Sequence, residues 1–108
     1  MKINNEVVEL MEFTLKLVSD KTRLKILFSL LDELNSNDTL IEKCVNDIAK
    51  EVDCSQSLVS HQLKVLKDGN FVKSRKVGKN ILYSLKDEHV REIMQVTHEH
   101  VLEETIHD

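Results

Sequence analysis

The chain has 108 residues, 41% of them hydrophobic and 31% charged, with no proline, two glycines and few aromatic side chains. This composition excludes a disordered polypeptide and favours one mostly helical domain with a modest core. The net charge of −4 argues against nucleic acid until its distribution is read: residues 55–86 hold seven lysines and arginines against one aspartate, a net +6, so the other 76 residues carry −10.

Such a basic segment inside an acidic chain is a candidate phosphate-binding footprint, and equally the pattern of lysines on a solvated face. No apolar run is long enough to span a bilayer, and the opening MKINNEVVEL lacks the pattern of a signal peptide. The expectation is a cytoplasmic protein without a membrane partner. Cys44 and Cys54 do not make a disulfide framework and are expected to be reduced thiols.

Along the chain, residues 5–18 have helical periodicity, with Val7, Val8, Leu10, Met11, Leu15 and Val18 covering more than one face. A helix apolar on two sides packs against its own core and something else. Asp20 is placed to cap a second helix over about 21–34, whose stripe of Leu24, Leu27, Phe28, Leu31 and Leu34, with Ile26 and Leu30 beside it, predicts the central core helix. The polar run 35–38 reads as a loop. A short helix over about 43–52 carries Val45, Ile48, Ala49 and Val52.

Asp53 and Cys54 then make a tight turn, and Ser55 can cap a further helix to Asp68. Its stripe of Val59, Leu63 and Leu66 leaves Ser57, Ser60, His61 and Lys64 pointing elsewhere. Gly69 and Asn70 end it with a residue able to take positive φ. Alternating segments around Gly78-Lys79-Asn80 predict a β-hairpin over 71–85. A last helix spans 87–106, with an apolar seam of Val90, Ile93, Met94, Thr97 and Val101. The expected architecture is a single winged helix-turn-helix domain over 1–108, mainly α, of five helices with a two-stranded hairpin wing and the helix-turn-helix over 43–68.

Two short helices, a tight turn and a basic hairpin suit duplex DNA. A helix fits the major groove, hydroxyl and amide side chains reach base edges, and basic hairpin residues hold phosphates. The stretch CVNDIAKEVDCSQSLVSHQLKVLKDGNFVKSRKVGKNILYSL strongly resembles the ArsR/SmtB family of bacterial metal-sensing repressors, most specifically in SQSLVSHQLKVLK and the VGKNILYSL wing. The likeness extends over roughly residues 8–104. It implies a winged helix homodimer that represses its operon from double-stranded operator DNA and is released by an effector, with no small-molecule substrate. By position, Gln56, Ser57, Ser60, His61 and Lys64 become the candidate recognition-helix contacts, and Lys73, Arg75, Lys76 and Lys79 those of the wing. His61 has an alternative use in capping or packing.

The last helix carries a second candidate site. His89 and His100 are 11 residues apart, which at about 100° per residue returns them to one face but separates them by about 16 Å along the axis. One helix cannot bring both to an ion whose ligands lie about 2 Å away. An antiparallel copy can, pairing Asp87 and His89 of one chain with His100 and Glu103 of the other and making two equivalent shared sites. Asp87 fits if it stands at the helix start, where the backbone is not yet helical. Two imidazoles and two carboxylates suit tetrahedral Zn²⁺, with Co²⁺ as a substitute.

On spacing alone these side chains also read as ordinary surface polars, but the D-x-H…H-x-x-E pattern resembles the zinc site on the last helix of that family. His107 lies on nearly the same face as His100 and is an alternative to Glu103, whereas His98 and Glu99 are expected to face solvent. The resemblance further implies a link from His100 to the loop after the recognition helix, around Asn70.

Some members of the family use a Cys-x-Cys thiolate site at the third helix. Here Cys44 is present but Asn46 replaces the second cysteine, which argues against thiolate metal sensing. The expectation is therefore a zinc-responsive repressor rather than an enzyme, since four protein ligands would leave a metal no position for water. The alternative is a winged helix regulator without a metal effector, sensing thiol oxidation at Cys44 and Cys54.

Overall fold

A computed structural model describes residues 1–31 and 41–106. Leu34, the loop expected over 35–38 and His107 lie outside these residues. The elements run α1 (Asn5–Val18), α2 (Lys21–Ser29), α3 (Val45–Val52), α4 (Gln56–Asp68), β1 (Val72–Val77), β2 (Asn80–Leu85) and α5 (Glu88–Ile106). Among the described residues, five helices and an antiparallel hairpin thus make up the expected fold class.

Local chemistry explains most boundaries. The Asn4 side chain accepts from the Glu6 and Val7 amides at 3.0 and 3.2 Å and starts α1. Asp20 accepts from the Arg23 amide at 3.0 Å and starts α2. Asp53 takes a left-handed φ of 55° and stops α3, as a short polar side chain can. Ser55 accepts from the Leu58 amide at 3.2 Å and starts α4. Asp87 accepts from the Val90 amide at 3.1 Å and starts α5. Each such cap contributes about 1 kcal/mol.

The hairpin pairs Val72 with Leu85 through Val77 with Asn80, leaving Gly78 and Lys79 as a two-residue turn. Positive φ falls on Gly78 (60°) and not on Lys79, the pattern of a type II′ turn whose twist matches that of the strands.

The core is built where α2, α3 and α4 meet, closed by the wing base and the first turns of α5. Ile26, Leu27, Ile48, Val59, Leu63 and Leu66 have essentially no exposed surface, and Phe71, Val72, Val90 and Met94 complete the packing. The α3 and α4 stripes are the expected ones. The α2 stripe is shifted: Ile26, Leu27 and Leu30 are buried, whereas Leu24 and Phe28 stay 36% and 38% exposed. Six apolar residues on α2 and its C-cap region span more than half its circumference, so periodicity alone left open which edge faces inward. α2 also ends at Ser29, with Leu30 as C-cap, five residues before the expected limit.

The outer helices depart further. α1 buries Val18 in the core and packs Leu17 against it, while Val7, Val8, Leu10, Met11, Phe13 and Leu15 are all about half exposed or more. The α5 seam splits: Val90 and Met94 are buried, but Ile93 and Val101 are exposed together with Val96 and Leu102. His98, expected in solvent, is half-buried. Its ring meets the edge of Phe28 at a centroid distance of 5.1 Å and an angle of 74°.

Arg23 ties three helices. Its Nε donates to Gln62 Oε1 at 2.6 Å on α4, and its Nη1 to the Leu17 carbonyl at 2.9 Å at the end of α1.

The end of α4 assigns its two residues different tasks. The left-handed φ of 64° falls on Asn70. Gly69 has an ordinary φ of −87° and is needed for space, because a Cβ there would stand 2.0 Å from Leu17 Cδ2. Gly69→Ala is therefore expected to destabilise the protein by about 1 kcal/mol, the low end of overpacking costs because Leu17 is half-buried and can swing aside. It should loosen α1 most. Urea unfolding and amide exchange along α1 check both.

Candidate nucleic-acid interface and metal half-site

The α3–turn–α4 pair forms the first candidate site. Burial of Val59, Leu63 and Leu66 fixes the roll of α4. Gln62 and Val65 flank that buried stripe and are half-buried, whereas Gln56, Ser57, Ser60, His61 and Lys64 are all exposed. Two of them are oriented by neighbours. Gln56 Nε2 donates to Asn46 Oδ1 at 2.8 Å, which holds its amide against the start of α3. The Ser57 hydroxyl lies 3.3 Å from that of Ser55. Lys64 makes a loose ion pair with Asp68 at 3.7 Å, both side chains being largely exposed. Such a pair is worth little and leaves the ammonium available to another anion.

The wing carries the second set. Lys73, Arg75, Lys76 and Lys79 are all exposed. By strand alternation Lys73 and Arg75 share one face, Lys76 lies on the other and Lys79 is at the tip. Arg75 is engaged within the protein: Nε and Nη2 donate to the two oxygens of Glu42 at 2.5 and 2.8 Å. The hydrogen bond from Arg75 holds the Glu42 carboxyl below the ordinary carboxylate value. Lys67, outside the expected contact set, donates to the Ser74 hydroxyl at 2.7 Å and joins the end of α4 to the wing. Periodicity does not reveal these links, because Glu42 and Arg75 are 33 residues apart. Nothing in the sequence marks Glu42 among the other acids.

The third set lies on α5. Asp87 uses Oδ1 for the cap, and Oδ2 stands 3.8 Å from His89 Nδ1, with the two side chains 50% and 89% exposed. Two ligands of a tetrahedral ion at about 2 Å are themselves separated by about 3.3 Å. A small side-chain rotation would therefore let this oxygen and nitrogen share an ion, and in chemistry and spacing they fit half a site. His100 and Glu103 are exposed near the other end of the same unbroken helix. Among the described residues of one protomer, no three histidine, cysteine, aspartate or glutamate side chains gather closely enough to hold an ion.

The cysteines are half-buried thiols. Cys44 precedes α3 without capping it, and Cys54 Sγ lies 3.6 Å from the Val52 carbonyl. No helix among the described residues is long and apolar enough to cross a membrane.

The chain is similar to known transcriptional regulators. The chain is 36% identical over 86 residues to the transcriptional repressor SmtB homolog of Synechocystis, a match covering 80% of this chain and 59% of that protein. It is 40% identical over 80 residues to a cadmium resistance regulatory protein CadC homolog of Staphylococcus aureus, covering 74% and 60%. The chain thus spans about 60% of the length of these curated relatives. Its fold superposes with a TM-score of 0.81, at 22% identity, on the homodimeric winged helix-turn-helix DNA-binding domain of Mb0332 from Mycobacterium bovis, covering 96% of this chain and 89% of that one. The relatives are named as transcriptional regulators, which agrees with the expectation of a regulator rather than an enzyme. Residues 20–74, the stretch from the α2 cap to the middle of β1, match the family described as bacterial regulatory protein, arsR family, and the chain belongs to that family.

Proposed function

We propose that the protein is a zinc-responsive transcriptional repressor, bound to operator DNA as a metal-free homodimer and released when zinc is held between its subunits. The observation that carries this reading is the layout of α5. It is one continuous helix with Asp87 and His89 at its start and His100 and Glu103 near its end. A separation of about 16 Å prevents both halves from reaching one ion within a protomer. Antiparallel pairing of two α5 helices brings the halves together twice.

The unsatisfied apolar surface supports the pairing. Leu10, Met11 and Phe13 on α1 and Ile93, Val96, Val101 and Leu102 on α5 are exposed. Apolar residues so numerous on two helices are the usual mark of an interface. The structural neighbour in Mycobacterium bovis is itself described as homodimeric. The donor set of two imidazoles and two carboxylates favours zinc over the thiophilic ions, although one relative is named for cadmium resistance.

In the dimer, the two α4 helices would enter successive major grooves about 34 Å apart, reading base edges with Gln56, Ser57, Ser60 and His61. Lys64, Lys73, Lys76 and Lys79 would face phosphates. Asp87, His89, His100 and Glu103, on holding the ion, favour a quaternary arrangement that no longer matches this spacing. Linkage then requires DNA to weaken metal binding by the same factor. His100 can transmit the change by donating its second nitrogen to a carbonyl near Asn70, as metal-bound imidazoles commonly do.

Three outcomes test the reading. His89→Ala and Asp87→Asn should leave DNA affinity nearly unchanged and abolish its loss on adding zinc, a loss expected to be roughly 5–150-fold in the unaltered protein. Asparagine is chosen at 87 because it preserves the helix cap. Collapse of DNA binding in these variants would make the residues structural. Titration of metal-free protein with Co²⁺ should give the absorption of tetrahedral nitrogen and oxygen coordination, with one ion per protomer and sites shared across the dimer. A site closed within one polypeptide would end the proposal. DNA affinity should also fall steeply with salt, with a log–log slope of about −0.9 per phosphate contacted. A flat response would remove the wing from the interface.

A further inference from the structure

Among the wing cations, Arg75 is the one whose charge is already committed. Its guanidinium meets Glu42 through two parallel bonds of 2.5 and 2.8 Å. This is the fork geometry in which arginine binds a carboxylate or a phosphate most strongly. The seated partner is the acid: the Glu42 side chain is 18% exposed against 62% for Arg75.

Lys43 anchors the segment that carries Glu42. Its backbone amide and carbonyl pair with those of Tyr83 at 3.0 and 2.8 Å, adding a two-bond bridge to the outer edge of β2. Its ammonium bonds the Ser29 carbonyl at the end of α2 and both carboxylate oxygens of Glu51 on α3, the latter at 2.8 and 2.9 Å. Residues 42–43 thus join the wing to α2 and α3, and Glu42 extends the link to β1.

A pair with one partner this exposed contributes little to stability. Its consequences are geometric and electrostatic. Resting on the DNA-binding reading above, we propose that Glu42 acts as an internal surrogate for a DNA phosphate: it occupies Arg75, sets the wing against the helix-turn-helix, and withdraws one cation from the surface offered to DNA. Arg75 is then a positioning residue, and the phosphate contacts of the wing fall to Lys73, Lys76 and Lys79.

The test counts cations. Non-specific binding needs no known operator, so the full chain is titrated against a fluorescein-labelled duplex of mixed sequence, ~30 bp long, across a salt series by fluorescence anisotropy. Each protein cation that replaces a counterion adds about 0.9 to the steepness of log K against log salt. Arg75→Ala should leave that slope unchanged. Glu42→Ala should steepen it by about 0.9 as Arg75 is freed, and the double variant should return it to the wild-type value. Should Glu42→Ala melt below the assay temperature, Glu42→Gln keeps the side-chain shape and supplies the same comparison.

An Arg75→Ala slope flatter by about 0.9 would overturn the inference, because Arg75 would then leave Glu42 for phosphate in the complex. An unchanged slope in the Glu42 variant overturns it as well. So does a steepening that survives in the double variant, which would trace to a different group. Wild-type protein showing no salt-dependent binding would instead remove the DNA-binding reading itself, and this inference with it.

Discussion

Everything that faces outward on α4 depends on what its other face does. Val59, Leu63 and Leu66 have no exposed surface, and rolling the helix by one residue would bring at least one polar neighbour into the core. Burying an unpaired hydroxyl or amide costs a few kcal/mol, and withdrawing a leucine costs about 2 more. The roll of α4 is therefore fixed to within a fraction of a turn. Arg23 holds its inner side to α1 and α2 through Gln62, and Lys67 holds its end to the wing. If the outward face reads base edges, as proposed, such rigidity suits it, because base pairs differ in the donor and acceptor pattern they present.

The outer helices obey the opposite condition. α1 contributes little more than Val18 to the core, and α5 little beyond Val90 and Met94. What remains is exposed apolar surface on both helices. His98 rests on Phe28, two residues before His100, so α5 and α2 are in direct contact beside the candidate metal ligands. α2 in turn reaches α4 through Arg23. Contacts from α5 to α2 and from α2 to α4 thus form a continuous packed route, of the kind by which, in the proposed function, a displacement at α5 could reach α4.

The wing combines charge with restraint. Its lysines are exposed, but its strands are tied at three places: Ser74 to Lys67, Tyr83 to Lys43, and Arg75 to Glu42. A hairpin anchored this way presents its cations at a set distance from α4, and less ordering entropy is lost when an extended anion is bound. Cations on a basic segment are thus not equivalent: some are available to a polyanion, and others are already used by the fold.

Elements, caps and turn positions were legible in the sequence because they are decided within a few residues. Asp20, Ser55 and Asp87 bond amides three positions on, Gly78 serves a two-residue turn, and the α3 and α4 stripes have a single apolar face. The spacing of Asp87, His89, His100 and Glu103 is likewise a property of one helix. Tertiary structure decided the rest. Which half of the broad apolar arc of α2 is buried, how little of α1 enters the core, the space requirement at Gly69, the contact of His98 with Phe28 and the engagement of Arg75 by Glu42 all join residues distant along the chain. Periodicity reports that a face is apolar and composition that a segment is basic. Only the packed neighbours determine whether that face meets the core or remains exposed, and whether that charge is already neutralised.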